Sequence, residues 1–251
     1  MRFSLLIEYD GTNYAGWQIQ KNQRTIQGEI EHSLGIIFNK KIRITGAGRT
    51  DSGVHAKGQV AHFDLTPTIN PEKLKRSLNG LLPHDIRIKS IFNQKDDFHA
   101  RFDAIKRVYI YNICRLPVAL LRHCCWYLSC GLNVEAMQSA SEKIIGRHNF
   151  QSFCRTKSEV DNHFCTITKA EWQKKDEILV FEIHADRFLH GMVRSLVGTI
   201  TDIGRAKLKE SDILKILNSM DRRKASQAAP AKGLILEGVY YEYGITKGVN
   251  Q

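Results

Sequence analysis

The sequence lacks any long uninterrupted hydrophobic run. Its first apolar stretch, residues 3–7, is followed at once by Glu8 and Asp10, and it is too short for a membrane-spanning helix or a secretion signal. A long basic amphipathic helix of the kind that binds anionic membranes is also missing. We therefore expect no membrane partner.

Cysteine is scarce and unevenly placed. The chain has six cysteines, none of them before Cys114 and no two in a C-x-x-C pair. This pattern excludes the common zinc frameworks and the disulfide scaffold of small secreted proteins. We expect no bound metal, reduced thiols and a cytoplasmic location.

Basic residues are in surplus. The 37 Lys and Arg residues against 26 Asp and Glu give a formal charge of +11, which favours a polyanionic partner, although charge can also serve solubility alone. Three clusters could contact phosphates, and each by itself fits an ordinary solvated face. They are Lys40, Lys41 and Arg43; Lys73, Lys75 and Arg76; and Arg222, Arg223 and Lys224.

Strand-like and helix-like segments alternate in a similar way in both halves of the chain. In the first half, strands are predicted at residues 3–9, 42–45, 59–65 and 86–92, with helices beginning after Thr25 and after Asn70. In the second half, strands are predicted at 107–113, 166–172, 178–184 and 234–241, with helices after Asn133, at 189–203 and after Ser211. This pattern predicts an α+β protein of two similar lobes, 1–105 and 106–251.

One glycine-rich loop, residues 46–58, concentrates polar groups. Arg49, Asp51 and His55 lie within seven residues of one another. The loop lacks the third glycine of a dinucleotide fingerprint and the Gly-Lys-Ser/Thr of a Walker loop. On local evidence alone it fits a turn in which Asp51 bonds to backbone. Three glycines are expected to permit backbone conformations closed to other residues and close approach by a ligand: Gly46, Gly48 and Gly53.

This loop resembles the signature of the tRNA pseudouridine synthase A family, and further matches follow in family order along nearly the whole chain. Ser52 departs from the common alanine, but both residues are small. The matching segments are Glu8-Tyr9-Asp10-Gly11-Thr12 with Tyr14, Gly16, Trp17 and Gln18; Gly48-Arg49-Thr50-Asp51-Ser52-Gly53-Val54-His55-Ala56 with Gly58-Gln59-Val60; Asp97-Phe98-His99-Ala100-Arg101-Phe102; Tyr109 and Tyr111; Phe188, His190, Met192-Val193-Arg194 and Val197-Gly198; and Ala229-Pro230-Ala231, Gly233-Leu234 and Leu236.

The resemblance implies a fold as well as a reaction. The implied fold has two lobes of antiparallel sheet with helices on one face and an active-site cleft between the lobes. The implied enzyme isomerises uridine to pseudouridine at positions 38, 39 and 40 of the tRNA anticodon stem-loop. It is a homodimer that binds tRNA across both subunits and uses no metal and no organic cofactor.

The resemblance maps the catalytic aspartate onto Asp51. An ionised carboxylate suits attack at either the ribose C1′ or the uracil C6, and a free aspartate is already ionised at neutral pH. When buried it needs a nearby positive charge, and the family's basic residue maps onto Arg194. Without the resemblance, the solvated face of a helix would be the favoured place for Arg194.

Four further residues are expected to contact the substrate. Tyr109 matches the family's substrate tyrosine, which can stack on a flipped uracil and assist proton removal at C5; core packing is the alternative. Arg49 is expected to reach the RNA backbone. His55 either packs within its loop or contacts RNA. Leu234 packs against the uracil site or belongs to a plain core strand.

Two other function classes are alternatives to this one. The main alternative is a non-catalytic RNA-binding module of the same fold, which the presence of Asp51 disfavours. A base deaminase would also turn a base out of its stack, but it needs zinc held by H-x-E and P-C-x-x-C motifs. Neither motif occurs in the chain.

Overall fold

The computed structural model describes residues 1–66, 69–155 and 161–242. Within them the chain separates into two compact units. Of the described residues, unit 1 comprises those within Met1–Ile105 together with 236–242, and unit 2 comprises those within Lys106–Ile235. The sequence places residues 106–251 together in a second lobe, whereas residues 236–242 group with unit 1.

Unit 1 is built on an antiparallel sheet. Its central strand, β1 (Arg2–Tyr9), is buried along most of its length and pairs on one side with β3 (His55–Asp64) and on the other with β4 (Ile86–Gln94). The short strand β2 (Thr45–Gly46) also pairs with β3. The last strand of the chain, β10 (Leu234–Tyr241), lies next to β3 and completes the order β4-β1-β3-β10.

The two helices of unit 1 begin where the sequence predicts. Helix α1 (Ile26–Phe38) is capped by Thr25, whose hydroxyl accepts a hydrogen bond from the Gly28 amide. Helix α2 (Pro71–Leu81) is capped by Asn70, whose side chain accepts from two amides of the first turn. These bonds satisfy donors that a helix N-terminus leaves unpaired.

Unit 2 has the same type of architecture. Antiparallel pairing orders four strands as β5-β9-β8-β7, and β6 pairs parallel to β5. Three α-helices accompany this sheet among the residues that the structure describes in this unit. The elements are β5 (Ala104–Cys114), β6 (Trp126–Tyr127), α3 (Val134–Glu142), β7 (Gly146–Asn149), β8 (Phe164–Lys175), β9 (Ile178–Ala185), α4 (Met192–Gly204) and α5 (Asp212–Asn218). The predicted α+β class, with antiparallel sheets and helices, is confirmed.

The core of unit 2 follows from strand alternation. Every second residue of β9 is buried, as expected for a strand with one face against a core. The Trp172 ring of β8 stacks on Phe181 of β9 with centroids 4.6 Å apart. Trp172 Nε1 also donates to Ser141 Oγ of α3 at 3.0 Å, which ties the helix to the sheet.

The predicted strand at residues 42–45 is wrong except at its last residue. Ile44 is buried, but its backbone bonds to side chains of α1 instead of a strand. Its amide donates to Glu31 Oε1 at 3.1 Å, and its carbonyl accepts from Gln27 Nε2 at 3.1 Å. Burial of alternate isoleucines therefore arises here without strand pairing.

One pair of cysteines departs from the expectation of reduced thiols. Cys114 and Cys125 are joined in a disulfide with Cα atoms 6.0 Å apart. Among the other cysteines, burial raises the pKa of the Cys165 thiol to about 12. In the described part of the chain, His, Cys, Asp and Glu form no group of three or more suited to holding a metal. No helix of that part is both long and apolar enough to cross a bilayer.

Candidate active site

The loop that carries Asp51 runs between β2 and β3 and is fixed by the segment that follows β1. The Trp17 amide donates to the Thr50 carbonyl at 3.1 Å, and the Gly53 amide donates to the Tyr14 carbonyl at 3.4 Å. The backbone is therefore bonded on both sides of Asp51. The Asp51 residue itself is half-buried.

Close backbone approach explains some of the glycines. Gly16 has φ +102°, and a Cβ atom there would lie 2.6 Å from the Thr50 carbonyl oxygen. Gly53 has φ +75°, a conformation that favours glycine. A Cβ on Gly46 would lie 2.6 Å from a neighbouring indole nitrogen. Neither Gly46 nor Gly48 has a positive φ, so of the three glycines only Gly53 adopts a backbone conformation that other residues avoid. A Cβ on Gly48 would meet nothing within 4 Å, and close approach by a ligand stays a prediction.

A buried hydroxyl pair lies directly beneath the loop. Tyr9 Oη and Thr50 Oγ1 are 2.8 Å apart, and Gln59 Nε2 donates to the Gly48 carbonyl at 3.0 Å. Burial raises the pKa of Tyr9 above its ordinary value, so the phenol stays neutral and can donate. These contacts hold the residue that precedes Asp51.

Arg49 and His55 lie in different environments. Arg49 is exposed, and its Nε donates to Gln18 Oε1 at 3.2 Å. His55 is only 4% exposed. Its Nδ1 accepts from the Gly11 amide at 3.1 Å and lies 3.0 Å from Asp10 Oδ1. Arg49 thus presents its charge to solvent, whereas His55 joins two loops and has little surface left for RNA.

In unit 2, Arg194 occupies the first turn of α4 and is half-buried. Its Nε donates to the Ala229 carbonyl at 2.8 Å, and the Ala229 amide donates back to the Arg194 carbonyl at 2.9 Å. The guanidinium group is therefore anchored to a neighbouring segment. Arg194 therefore does not lie on a solvated helix face, which is the place that the local sequence alone favours.

The segment that holds Arg194 lies tightly along α4. The Ser226 amide donates to Thr199 Oγ1 at 3.1 Å. A Cβ atom on Gly198 would overlap the Gln227 carbonyl oxygen, so a glycine is needed for this approach. The late-helix motif and the motif around Ala229 are thus two sides of one contact.

The two tyrosines of β5 share a face of the strand but differ in what they contact. Tyr111 is fully buried and donates from its hydroxyl to the Pro230 carbonyl at 2.8 Å. Burial raises its pKa, and the charge of Arg194 opposes that rise. Tyr109 is half-buried, with its ring edge-on to Phe188 at 5.2 Å. Tyr109 therefore has more surface available to a substrate than Tyr111 has.

Other residues of unit 2 support this arrangement. A Cβ on Gly233 would lie 2.6 Å from the Tyr111 ring. Leu234 follows as the first residue of β10 and is 6% exposed; its contact with uracil stays a prediction.

The sequence did not assign a role to three residues that anchor the site, Tyr9, Gln59 and Thr199, although the first two lie inside the matched motifs.

In each of the three basic clusters, one residue forms an ion pair with an acidic residue of the protein. These ion pairs reduce the positive charge that each cluster offers to phosphates. The contacts are Arg43 with Glu31 at 2.9 Å, Lys75 with Glu72 at 2.7 Å, Arg223 with Asp221 at 2.9 Å, Lys40 Nζ with the Thr66 carbonyl at 3.1 Å, and Arg222 with the carbonyls of Ala225 and Ser226, both at 3.1 Å.

Comparison with known proteins identifies the family. A family model described as tRNA pseudouridine synthase matches residues 5–103 and again residues 140–242. The chain belongs to the tRNA pseudouridine synthase family. The two matched stretches lie in the first and second halves of the chain, where the sequence shows the same alternation of strands and helices.

Relatives named tRNA pseudouridine synthase A match this family member over nearly its full length. The protein from Acetivibrio thermocellus is 43% identical over 239 residues, covering 94% of this chain and 98% of the relative. The protein from Exiguobacterium sp. is 41% identical over 241 residues, with 96% and 98% covered. That from Bacillus subtilis is 40% identical over 246 residues, with 96% and 100% covered.

A solved structure, that of a Cbf5-Nop10-Gar1 complex, is a remote match. It has a TM-score of 0.36 and 12% identity, covering 79% of this chain and 53% of the solved chain. A TM-score at this level supports no inference about the site.

Proposed function

We propose that this protein isomerises uridine to pseudouridine at positions 38, 39 and 40 of the tRNA anticodon stem-loop, with Asp51 as the nucleophile. Family membership and the full-length relatives support the reaction and the substrate class. The observation that carries the role of Asp51 is its place in a loop whose backbone is bonded on both sides, to Trp17 and Tyr14. Such a loop can hold a carboxylate at a reacting atom.

The reaction needs no co-reactant. The bond between uracil N1 and ribose C1′ breaks, a bond between C5 and C1′ forms, C5 loses a proton and N1 gains one. The Asp51 carboxylate bonds transiently to C1′ or to C6 and is released at the end. Because the target base lies within a folded RNA, the enzyme must first turn it out of its stack.

The other site residues are proposed to assist this chemistry. Arg194 serves as the charge partner that keeps Asp51 ionised when tRNA covers the site. Tyr109 stacks on the turned-out uracil, and its hydroxyl assists proton transfer at C5. Arg49 contacts the RNA backbone, and Leu234 packs against the base. His55, which is only 4% exposed, acts through the loop that it supports.

We further propose a cytoplasmic homodimer that binds tRNA across both subunits, with at least one basic cluster on the phosphates. The formal charge of +11 supports such an electrostatic contribution. The resemblance supports the dimer and the absence of a cofactor. Sedimentation of the protein alone and with tRNA tests for the dimer. Activity retained after dialysis against a chelator tests for the absence of a cofactor.

The proposal is tested by incubating unmodified tRNA with the native protein and with its Asp51→Asn variant. Asparagine keeps the size of the side chain and removes its charge. Pseudouridine is located by chemical labelling and mass spectrometry. We expect product at uridines 38, 39 and 40 with the native protein and none with Asp51→Asn.

The matched control is Asp176→Asn in the exposed turn between β8 and β9. Asp176 has φ +52°, a conformation that asparagine also tolerates, so this variant should retain full activity. Product from Asp51→Asn would remove Asp51 as the nucleophile. Absence of product from the native protein on any tRNA would favour a non-catalytic RNA-binding module.

A further inference from the structure

The turn before β5 presents an aromatic ring to solvent. Phe102 is 74% exposed, compared with 44% for Tyr127 and 42% for Phe164. The ring is not isolated, because the His99 ring lies beside it with centroids 4.3 Å apart and planes tilted by 31°. The Arg101 guanidinium lies 5.6 Å from the centroid of the same ring. Phe102 is therefore the outermost part of a small aromatic and cationic group.

Hydrogen bonds within the turn hold this group in place. The amides of Arg101 and Phe102 donate to His99 Nδ1 at 3.1 and 3.2 Å. The His99 amide donates to Asp103 Oδ2 at 2.8 Å, and the Asp103 amide donates to the His99 carbonyl at 3.1 Å. The exposed ring thus projects from a closed turn, which limits the conformational entropy lost on binding.

The turn is also anchored to the core of unit 1. The Ala100 amide donates to His62 Nδ1 at 3.1 Å, and the Ala100 carbonyl accepts from the Tyr241 hydroxyl at 2.6 Å. Burial lowers the pKa of His62 to about 4, with the charges of Arg2 and His99 adding to the effect. His62 is therefore neutral near pH 7 and can accept this bond.

Charges around the turn nearly balance. Lys95 and Arg101 are basic, whereas Asp96, Asp97 and Asp103 are acidic. Asp96 lies 3.9 Å from the chain's amino terminus, and Asp103 is used within the turn. A surface without a basic surplus is poorly suited to binding phosphates. Its most accessible feature for a ligand is the exposed aromatic ring of Phe102.

We propose that Phe102, backed by His99 and flanked by Arg101, is a stacking platform for an unpaired base of the RNA substrate. Unpaired bases stack on aromatic side chains and on guanidinium planes with little dependence on their sequence. The motif from Asp97 to Phe102 would then serve RNA binding outside the chemistry at Asp51. The inference rests on the proposed function only for the identity of the RNA.

The test measures the Kd of unmodified tRNA for four proteins over a range of salt concentrations: the native protein, Phe102→Ala, Phe102→Trp and Phe164→Ala. Phe164 is the matched control, since it is exposed and has the Arg147 guanidinium 4.7 Å from its ring. We expect Phe102→Ala to raise the Kd about 10-fold with an unchanged salt slope, because stacking is not electrostatic. Phe102→Trp and Phe164→Ala should bind like the native protein.

A fully base-paired RNA duplex is the second probe. It offers no unpaired base, so the native protein and Phe102→Ala should bind it equally. The platform is overturned if Phe102→Ala binds tRNA within about twofold of the native protein, or if it weakens duplex binding to the same extent. Unfolding in urea excludes a folding defect, since an exposed ring should contribute little to stability.

A second copy of this chain is the competing occupant of the ring. Sedimentation of Phe102→Ala without RNA decides between the two, and a shift toward monomer would overturn the platform. Pseudouridine formation measured on the same samples separates the two proposals. If the native protein makes product and Phe102→Ala binds normally, only the platform fails. If the native protein makes no product but Phe102→Ala loses tRNA affinity, only the proposed reaction fails.

Discussion

The Asp51 loop of unit 1 and the Arg194 segment of unit 2 are built by the same device but anchored differently. In each, a glycine lets one backbone segment lie against another: Gly16 against Thr50, and Gly198 against Gln227. The backbone bonds that tie the Asp51 loop to the segment after β1 come from Thr50 and Gly53. In the Arg194 segment, the Arg194 side chain makes the bond, to the Ala229 carbonyl.

This difference bears on how substitutions should be interpreted. Replacing the Asp51 side chain leaves the backbone bonds of Thr50 and Gly53 to Trp17 and Tyr14 in place, so a loss of activity with unchanged unfolding reports on chemistry. Replacing Arg194 removes a charge and a structural bond together. Turnover, binding and stability must therefore be measured separately for Arg194.

The largest effects are expected at the two glycines. Gly16→Ala and Gly198→Ala should each lower the free energy of unfolding by about 2–4 kcal/mol, because the added methyl group meets backbone that cannot move aside without local rearrangement. Gly48→Ala is the control, since a Cβ there would meet nothing within 4 Å. Urea unfolding gives the values. Tolerance of alanine at Gly198 would show that α4 and the following segment are not as tightly packed as described.

Arg194→Lys separates charge from anchoring. Lysine keeps the charge but cannot reproduce the Nε–H bond to Ala229. We expect kcat to fall about 10- to 100-fold, since misplacement of a catalytic group by about 1 Å can cost that much, with tRNA affinity little changed. The free energy of unfolding should fall by about 1–2 kcal/mol. An unchanged urea midpoint would contradict the anchoring role, whatever happens to kcat.

Two hydroxyl deletions compare the anchors directly. Tyr9→Phe removes the bond to Thr50, and Tyr111→Phe removes the bond to Pro230; each should cost about 1–2 kcal/mol of stability. Because Thr50 adjoins Asp51, we expect Tyr9→Phe also to slow single-turnover reaction by about 3- to 10-fold. The exposed Tyr127→Phe should change neither. Equal stability of Tyr9→Phe and the native protein would show that this hydroxyl pair does not hold the loop.

The smallest effect concerns affinity alone. Lys73 is exposed on α2, and Lys73→Ala should weaken tRNA binding while reducing the slope of log K against log salt by about 1. Turnover at saturating tRNA should not change. Lys175→Ala, at the exposed end of β8, is the control for a lost surface charge. A fall in turnover at saturating tRNA with Lys73→Ala would contradict the assignment of Lys73 to tRNA binding alone.

The sequence predicted those features that depend on near neighbours. The caps at Thr25 and Asn70 act on amides within three residues, and the alternation of buried residues in β9 is a property of one strand. Motif order was enough to identify the family, because the matched segments span nearly the whole chain. It also selected Tyr109 over Tyr111 as the candidate substrate contact.

Features that depend on distant partners could not be predicted in this way. The alternation of Ile42 and Ile44 indicated a strand. The backbone of Ile44 instead bonds to the side chains of Glu31 and Gln27, which lie on α1, 13 and 17 residues earlier in the chain. The anchor of Arg194 lies 35 residues further along the chain. The strand β7 has only four residues, too few to show a periodic pattern. The pairing of Cys114 with Cys125 likewise depends on tertiary placement.

The role of Asp51 is tested most directly by single-turnover kinetics of Asp51→Asn at saturating tRNA, with Kd and urea unfolding measured on the same preparation. We predict a rate at least about 1,000-fold below the native rate, a Kd within about threefold of the native value and unfolding within about 0.5 kcal/mol of it. Those values would assign the loss to the missing carboxylate charge. A rate within about tenfold of native, with normal binding and stability, would contradict Asp51 as the nucleophile.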